Sequence, residues 1–433
     1  MSTKPRQISF AVILFLFVIA LLEVTLGVLA FLSPRINSLL VSPWDPAGSV
    51  PAIILDPRLG FRPNPAYPGH DRNGFRNPDI PPKPTIIALG DSQTYGTSVG
   101  PEDPWPRQLE RTLGTSVYSM AFGGYGPTHS LVLWDDAVAM KPATIIEAFY
   151  VGNDFFDAFN HVYNNGQLPE FKNADPHVQE RVRAEEQAEP IEGYVTRMFR
   201  MEAPVGTSSA TPASASLVRS ILQHSNIFSL IRRAKYELAR TAETPALPTQ
   251  DEWETAKAFA AAHPAYCQVF ADTLFKTVFT SEYRIAALNL DDPRIAEGLR
   301  IALRAIKAMQ ERAVAQHVRF IVIMIPTKEA VFGQRWKNPS ESFLKLAGYE
   351  ERAWKTIEEF LDQNGIEHLD ALPALREQLA RGIQPYLASS DGHPNRHGHA
   401  ALANLVATYL QQSKASSAQP KQNASVGIPT SNP

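Results

Sequence analysis

From Ile8 to Leu32 the chain reads ISFAVILFLFVIALLEVTLGVLAFL, an apolar run broken only by Glu23 and a few small polar residues. Such a run has few structural outcomes. As a helix it spans a hydrocarbon layer about 30 Å thick with every backbone polar group satisfied internally. Lys4 and Arg6 precede it and Arg35 alone follows closely. That bias predicts residues 1–7 in the cytoplasm and everything after about residue 33 on the periplasmic side. The rival reading is a cleaved signal peptide with Val28-Leu29-Ala30 as its small-residue site. The length of the run favours a retained single-pass anchor. Glu23 is a charge in a costly place, so it is expected to face a partner helix or to take up a proton.

The rest of the chain is globular in composition. Across all 433 residues, 44% are hydrophobic and 20% charged, enough to bury a real core. The net charge is −3, and no long basic run gives an electrostatic footprint for nucleic acid. Cys267 is the single cysteine, which excludes an intramolecular disulfide and is expected to be a small core residue. Residues 33–84 are rich in proline and turn residues. They predict an extended lead, neither helix nor sheet, laid on the domain by Ile53, Ile54, Leu55, Leu59, Phe61 and Phe75.

From residue 85 the pattern changes. Short apolar runs at 85–89, 116–120, 143–151, 319–325 and 366–369 read as strands buried on both faces. Helical segments are expected at 128–140, 292–316, 349–363 and 399–411, the second opened by Asp292-Pro293. Strands alternating with helices predict an α/β domain with a mainly parallel, doubly covered sheet, in two stretches, 85–158 and 291–411. Between them, residues 159–290 predict a helical insertion above the strand C-terminal ends, where open sheets bind ligands. It includes a Ser/Thr/Ala/Pro stretch at 204–216. Residues 412–433 are expected to be a disordered tail.

Chemistry in such a sheet belongs just after its strands. Gly90-Asp91-Ser92 follows the first and presents a hydroxyl where unpaired helix N–H groups gather. Gly123-Gly124-Tyr125-Gly126 follows the second, bare backbone that a substrate can approach. Gly152-Asn153-Asp154 follows the third and offers an amide donor. Asp391-Gly392-His393-Pro394-Asn395 precedes the last helix.

These four blocks, in this order, resemble those of the SGNH (GDSL-type) hydrolases, over residues 84–158 and 312–412. Leu59-Gly60-Phe61 and Asn73-Gly74-Phe75-Arg76 are similar to leads in membrane-anchored bacterial members. The resemblance implies a flavodoxin-like three-layer α/β/α fold and a serine esterase that needs no cofactor and no metal. Ser92 is then the nucleophile, His393 the general base and acid, and Asp391 the residue that orients the imidazole. The backbone N–H groups of Ser92 and Gly124 and the side-chain amide of Asn153 form the oxyanion hole. An ester-bearing substrate, such as O-acylated carbohydrate of the envelope, is implied with them.

Two blocks depart from the usual pattern. Ser119 and Ala121 stand where Asn and Gly are common, and the last block reads Asp391-x-His393 instead of Asp-x-x-His. That spacing, with Ile325-Pro326-Thr327-Lys328-Glu329, resembles the periplasmic O-acetyltransferases of exopolysaccharide modification. It implies an alternative, acyl transfer to a sugar hydroxyl with a membrane acyltransferase partner. A third reading is a non-catalytic envelope-binding protein that keeps the fold.

Simpler readings apply to the same residues. Ser92 could serve only as a helix N-cap. Asp154 is expected to be a cap or supporting residue, and Trp105 to be core. His397 and His399 are expected to be exposed, and with Asp391 and His393 they match no strong metal-ligand spacing. His129, at a helix start, is expected at the surface or lining the substrate.

Overall fold

A computed structural model describes residues 4–33, 36, 40, 51–191, 193, 225–241 and 247–418. The stretch at 204–216 and residues 419–433 lie outside them. The strands in chain order are β1 (Ile53–Asp56), β2 (Gly60–Pro63), β3 (Ile86–Gly90), β4 (Val117–Ser119), β5 (Thr144–Tyr150), β6 (Gln268–Ala271), β7 (Lys276–Phe279), β8 (Arg319–Ile325) and β9 (His368–Asp370).

Five of them form one parallel sheet in the order β4-β3-β5-β8-β9. Successive side chains of a strand point to opposite faces. Ile87, Leu89, Ile145 and Phe149 therefore enter one core, while Ile86, Ala88, Ile146 and Ala148 enter another. The Pro127–Ala139 and Pro293–Gln316 helices cover the first face, and the Trp105–Leu113 and Arg396–Ala418 helices the second. The result is a three-layer α/β/α domain with the flavodoxin-like strand order. Its central strands are mostly apolar because both faces are covered, Glu147 in β5 being a buried exception.

Asp292 caps the long Pro293–Gln316 helix by accepting from the Arg294 N–H at 2.8 Å. Gly298 lies against the Asp154–Phe159 helix so closely that a Cβ there would stand 1.9 Å from the Phe155 carbonyl oxygen. That contact seats the short helix carrying the end of β5.

Four boundaries differ from the sequence reading. The lead contains an antiparallel hairpin, β1 with β2, turned at Gly60 (φ 76°). Asp56 Oδ1 holds the turn by accepting from the N–H groups of Arg58 and Leu59. Four-residue strands are too short to show alternation. The insertion is likewise not wholly helical, since β6 and β7 form a hairpin within it. The Glu341–Gln363 helix starts earlier than residue 349 because Ser340 caps it, accepting from Phe343 N–H at 3.2 Å. The last helix starts at Arg396 under an Asn395 cap and runs through Ala418, into the expected tail. Gln, Lys, Ala and Ser carry it on, and no Gly or Pro occurs before Pro420.

The Lys4–Leu32 helix contains a span, Val12–Leu32, with a mean hydropathy of 2.9, long and apolar enough to cross a membrane.

Candidate active site

In this strand order the chain leaves β3 toward β4 on one side and reaches β5 on the other. The crevice at that reversal, beyond the strand C-terminal ends, is where such sheets bind ligands. Gly90 turns out of β3 at φ 143°, and a Cβ there would meet Thr94 Oγ1 at 2.7 Å. Asp91, not Ser92, caps the following Ser92–Tyr95 turn of helix, its Oδ1 accepting from the Gln93 N–H at 2.9 Å. Because Asp91 takes the capping role, the Ser92 hydroxyl is free of it. It lies 2.8 Å from His393 Nε2.

His393 is held from behind. Asp391 Oδ1 accepts from its Nδ1 at 2.5 Å and from its backbone N–H at 2.9 Å, so the short Asp391-x-His393 spacing brings both donors onto one oxygen. Ser98 donates to the other oxygen, Oδ2. Burial alone would raise the Asp391 carboxyl, but the charge and hydrogen bonds of His393, with Ser98, hold it at about 2. The loop is fixed by Lys328, whose buried ammonium donates to the carbonyls of Val278 (2.6 Å), Ser389 (2.9 Å) and Asp391 (3.0 Å). One cation thus ties the β6–β7 hairpin to the segment bearing Asp391 and His393.

The glycine turn after β4 packs on the serine. A Cβ on Gly123 would sit 3.8 Å from Ser92 Cβ, and Gly124 takes φ 79°, a region natural to glycine. Phe61, from the β1–β2 hairpin, lies on Gly124, so the lead forms one wall. Among the described residues the backbone N–H groups of Ser92 and Gly124 have no hydrogen-bond acceptor. Asn153 follows β5, next to β3 in the sheet; one of its amide protons goes to Asp157 Oδ2 at 2.9 Å and the other remains available. Gly90 stands opposite Ala148 in that pairing, so the two strands end at one edge.

Two other expectations are corrected. His129 is neither exposed nor lining: it is buried, stacked on Tyr125 and on His161 with ring centroids 3.8 Å apart, and its Nδ1 accepts from the Gly126 N–H. His399 is fully buried: the last helix starts at Arg396, so His399 already lies within it, where its Nδ1 accepts from the Trp105 N–H at 3.2 Å. Ser98 and Lys328 had no role in the sequence reading. As read, Trp105 and Cys267 are buried, and Asp154 is a supporting residue that accepts from the Tyr150 N–H at 2.9 Å. Among the described residues no group of three or more His, Cys, Asp or Glu could hold a metal.

Buried acids lie beside the nucleophile and deeper in the domain. Burial raises Asp91 to about 6 and Glu147 to about 8, the latter helped by the Asp91 charge; burial raises Glu350 to about 7. The folded protein therefore binds more protons than the unfolded chain between their ordinary and raised values. Stability from these groups is full below the ordinary carboxylate range and lost as pH rises through about 6 to 8. His70 and His161, lowered by burial to about 4, act with the opposite sign, and their contribution is lost below the ordinary histidine value. The two limbs overlap between the ordinary carboxylate and histidine values, where they oppose each other, and only the alkaline limb continues above that range. Glu147→Gln should leave the melting temperature unchanged at about pH 3, raise it above about pH 8 and flatten the alkaline limb. An unaltered alkaline limb in a scan of melting temperature against pH would reject this account.

No protein-family profile matches the chain, and no curated protein does. Solved structures similar to it include a G-D-S-L family lipolytic protein from Desulfitobacterium hafniense, at 13% identity and a TM-score of 0.31, covering 75% of this chain and 97% of that one. A GDSL-like lipase from Bacteroides thetaiotaomicron is 12% identical at a TM-score of 0.29, with 76% and 88% covered. The fold assignment rests on this chain's own sheet order and register. This fold is three-layer α/β/α, and the four sequence blocks gather at one edge of its sheet.

Proposed function

We propose that the chain is a membrane-anchored, extracytoplasmic SGNH-type serine esterase that hydrolyses carboxylic O-acyl esters through an acyl-enzyme on Ser92. The observation that carries this reading is the continuous relay from Ser92 Oγ through His393 to Asp391. A serine hydroxyl is a weak nucleophile until a base lies within hydrogen-bond reach. As Oγ adds to the ester carbonyl, its proton passes to His393 Nε2, and the ionised Asp391 stabilises the imidazolium. The oxyanion is received by the N–H groups of Ser92 and Gly124 and by the Asn153 amide. Collapse expels the alcohol with the proton from His393, and water repeats the sequence to release the acid. The apolar N-terminal helix supports the anchored, extracytoplasmic placement, and the resemblance supports O-acylated carbohydrate as substrate.

Acyl transfer is the second reading, favoured by the Asp391-x-His393 spacing. It differs only in which hydroxyl attacks the acyl-enzyme, a sugar's or water's, and its donor would come through a membrane acyltransferase partner. A fluorophosphonate is expected to label the wild type and not Ser92→Ala. Acetylated oligosaccharide should then yield free acetate; acetyl appearing on an unacetylated acceptor would replace hydrolysis with transfer. A folded wild type that neither labels nor turns over p-nitrophenyl acetate would remove both.

A further inference from the structure

The Asn226–Thr241 helix is amphipathic in the wrong sense for water. Ser229 and Arg233 are buried, 8% and 5% exposed, while Leu230, Ile231 and Leu238 are 43%, 45% and 69% exposed. At about 100° per residue, positions 230, 231, 234 and 238 share one face, and 229 and 233 lie beside it on the other. Ala234 is exposed as well, so the described side chains of the outward face form an apolar stripe. A helix on a water-exposed surface normally shows the reverse.

The inward face is turned toward the catalytic domain, with Ser229 and Arg233 buried. Burial lowers the Arg76 pKa, and the like charge of Arg233 nearby lowers it further, so Arg233 lies close to Arg76. Arg76 in turn donates to the carbonyls of Gly96 (2.6 Å) and Val99 (2.8 Å), which bracket Ser98, the partner of Asp391.

The other end of the helix meets the apolar N-terminal span. Glu23 accepts from the backbone N–H of Asn226, from that of Ile227 at 3.2 Å and from Ser225 Oγ at 3.0 Å. Gly27, one turn on, lets Asn226 approach: a Cβ there would be 3.3 Å from its Nδ2. Glu23, Leu26, Gly27 and Ala30 are the half-buried positions of that stretch, while Leu21, Leu22, Val24, Thr25, Val28 and Leu29 are exposed. Positions i, i+3, i+4 and i+7 are one helical face. In hydrocarbon, an isolated carboxylate and a helix end with bare N–H groups are each costly, and here each satisfies the other.

We propose that the Asn226–Thr241 helix starts at Glu23, inside the domain-side leaflet, and runs beside the Lys4–Leu32 helix toward the catalytic domain, its Leu230, Ile231 and Leu238 stripe facing lipid acyl chains, and clamps the catalytic domain to the membrane. The inference rests on the membrane-anchored reading above. It assigns Glu23 a role: the charge within the span is the joint between anchor and clamp. Lipid is the occupant because the stripe is continuous, through Glu23 and Asn226, with the span itself.

The test uses the full chain with Cys267→Ser, in phosphatidylcholine–phosphatidylglycerol vesicles. An environment-sensitive fluorophore is placed at Leu230→Cys or Leu238→Cys, with Leu344→Cys, an exposed apolar site on the Glu341–Gln363 helix, as the control. Phospholipid spin-labelled on its acyl chain should quench the probes at 230 and 238 and not at 344. Glu23→Leu should abolish that quenching while the protein still floats with vesicles after alkaline carbonate washing. Cysteines replacing Gly27 and Asn226 should form a disulfide in the membrane. A protein that floats with unquenched, water-exposed probes overturns the clamp and leaves the anchor standing. Probes shielded from water yet unquenched mean that protein, not lipid, covers the stripe, which also overturns it. Failure to float removes anchor and clamp together.

Discussion

Ser92→Ala and His393→Ala are each expected to lower kcat/KM on p-nitrophenyl acetate by at least about 10⁴-fold, and the double variant by no more than either alone. The non-additivity is the informative part. Oγ and Nε2 stand 2.8 Å apart and act as one unit, so removing either removes the deprotonated nucleophile. What remains is binding and the oxyanion donors, which the double variant keeps. Stability should change little, because Ser92 caps nothing; Asp91 does. Circular dichroism and thermal unfolding check that point. Asp91 also supplies the sharpest competing outcome. Its Oδ2 lies 3.2 Å from Ser92 Oγ, and with a carboxyl at about 6 it is largely ionised near neutrality. Substantial activity in His393→Ala that vanishes on adding Asp91→Asn would make Asp91 the base. The geometry argues against it, since Asp91 is also engaged by the Gln93 N–H and sits farther from the hydroxyl than His393 does.

How much of this was legible in the sequence follows from what each feature depends on. The sheet was readable because burial on both faces makes β3, β5 and β8 predominantly apolar, Glu147 in β5 being the buried exception, and that is a local signal. The blocks were readable because polar groups that follow such strands must share an edge. Ser98 was not: it meets Asp391 across 293 positions, and nothing local distinguishes it from another loop serine. Lys328 stood inside a recognised segment, yet its contact with three carbonyls exists only after the β6–β7 hairpin and the Asp391 loop have closed on it. His399 reads as a surface residue when the last helix is taken to begin at it; with the start at Arg396 it already lies within the helix, where it accepts from the Trp105 N–H. The Asn226–Thr241 helix was read as part of a helical insertion. Its apolar stripe is visible in sequence, but which way the stripe faces is decided by tertiary packing. Glu23 was the exception, since a charge in an apolar span announces a partner even before the partner can be named.

Asp391→Asn is expected to lower kcat by about 10⁴-fold at neutral pH without unfolding the protein. Asp391 accepts three hydrogen bonds, from His393 Nδ1, from the His393 backbone N–H and from Ser98 Oγ. With its carboxyl held at about 2 it remains ionised throughout the working range, so it always accepts. An asparagine has the same shape but can turn its amide N–H toward Nδ1. The neutral imidazole then carries its proton on Nε2, facing Ser92, and has no lone pair with which to take the hydroxyl proton. The imidazolium formed later also loses the adjacent negative charge. Ser98→Ala removes one donor to the same carboxylate and leaves the tautomer intact, so its loss should be far smaller, on the order of 10-fold, as for a single hydrogen bond to a charged group. The ratio between the two variants separates orientation from mere packing. Equal losses would mean that both changes act by loosening the Asp391–His393 loop. Full activity in Asp391→Asn would leave Ser92 and His393 in place and require that the imidazole be oriented by its backbone and by the loop that Lys328 fixes, with no part for the carboxylate.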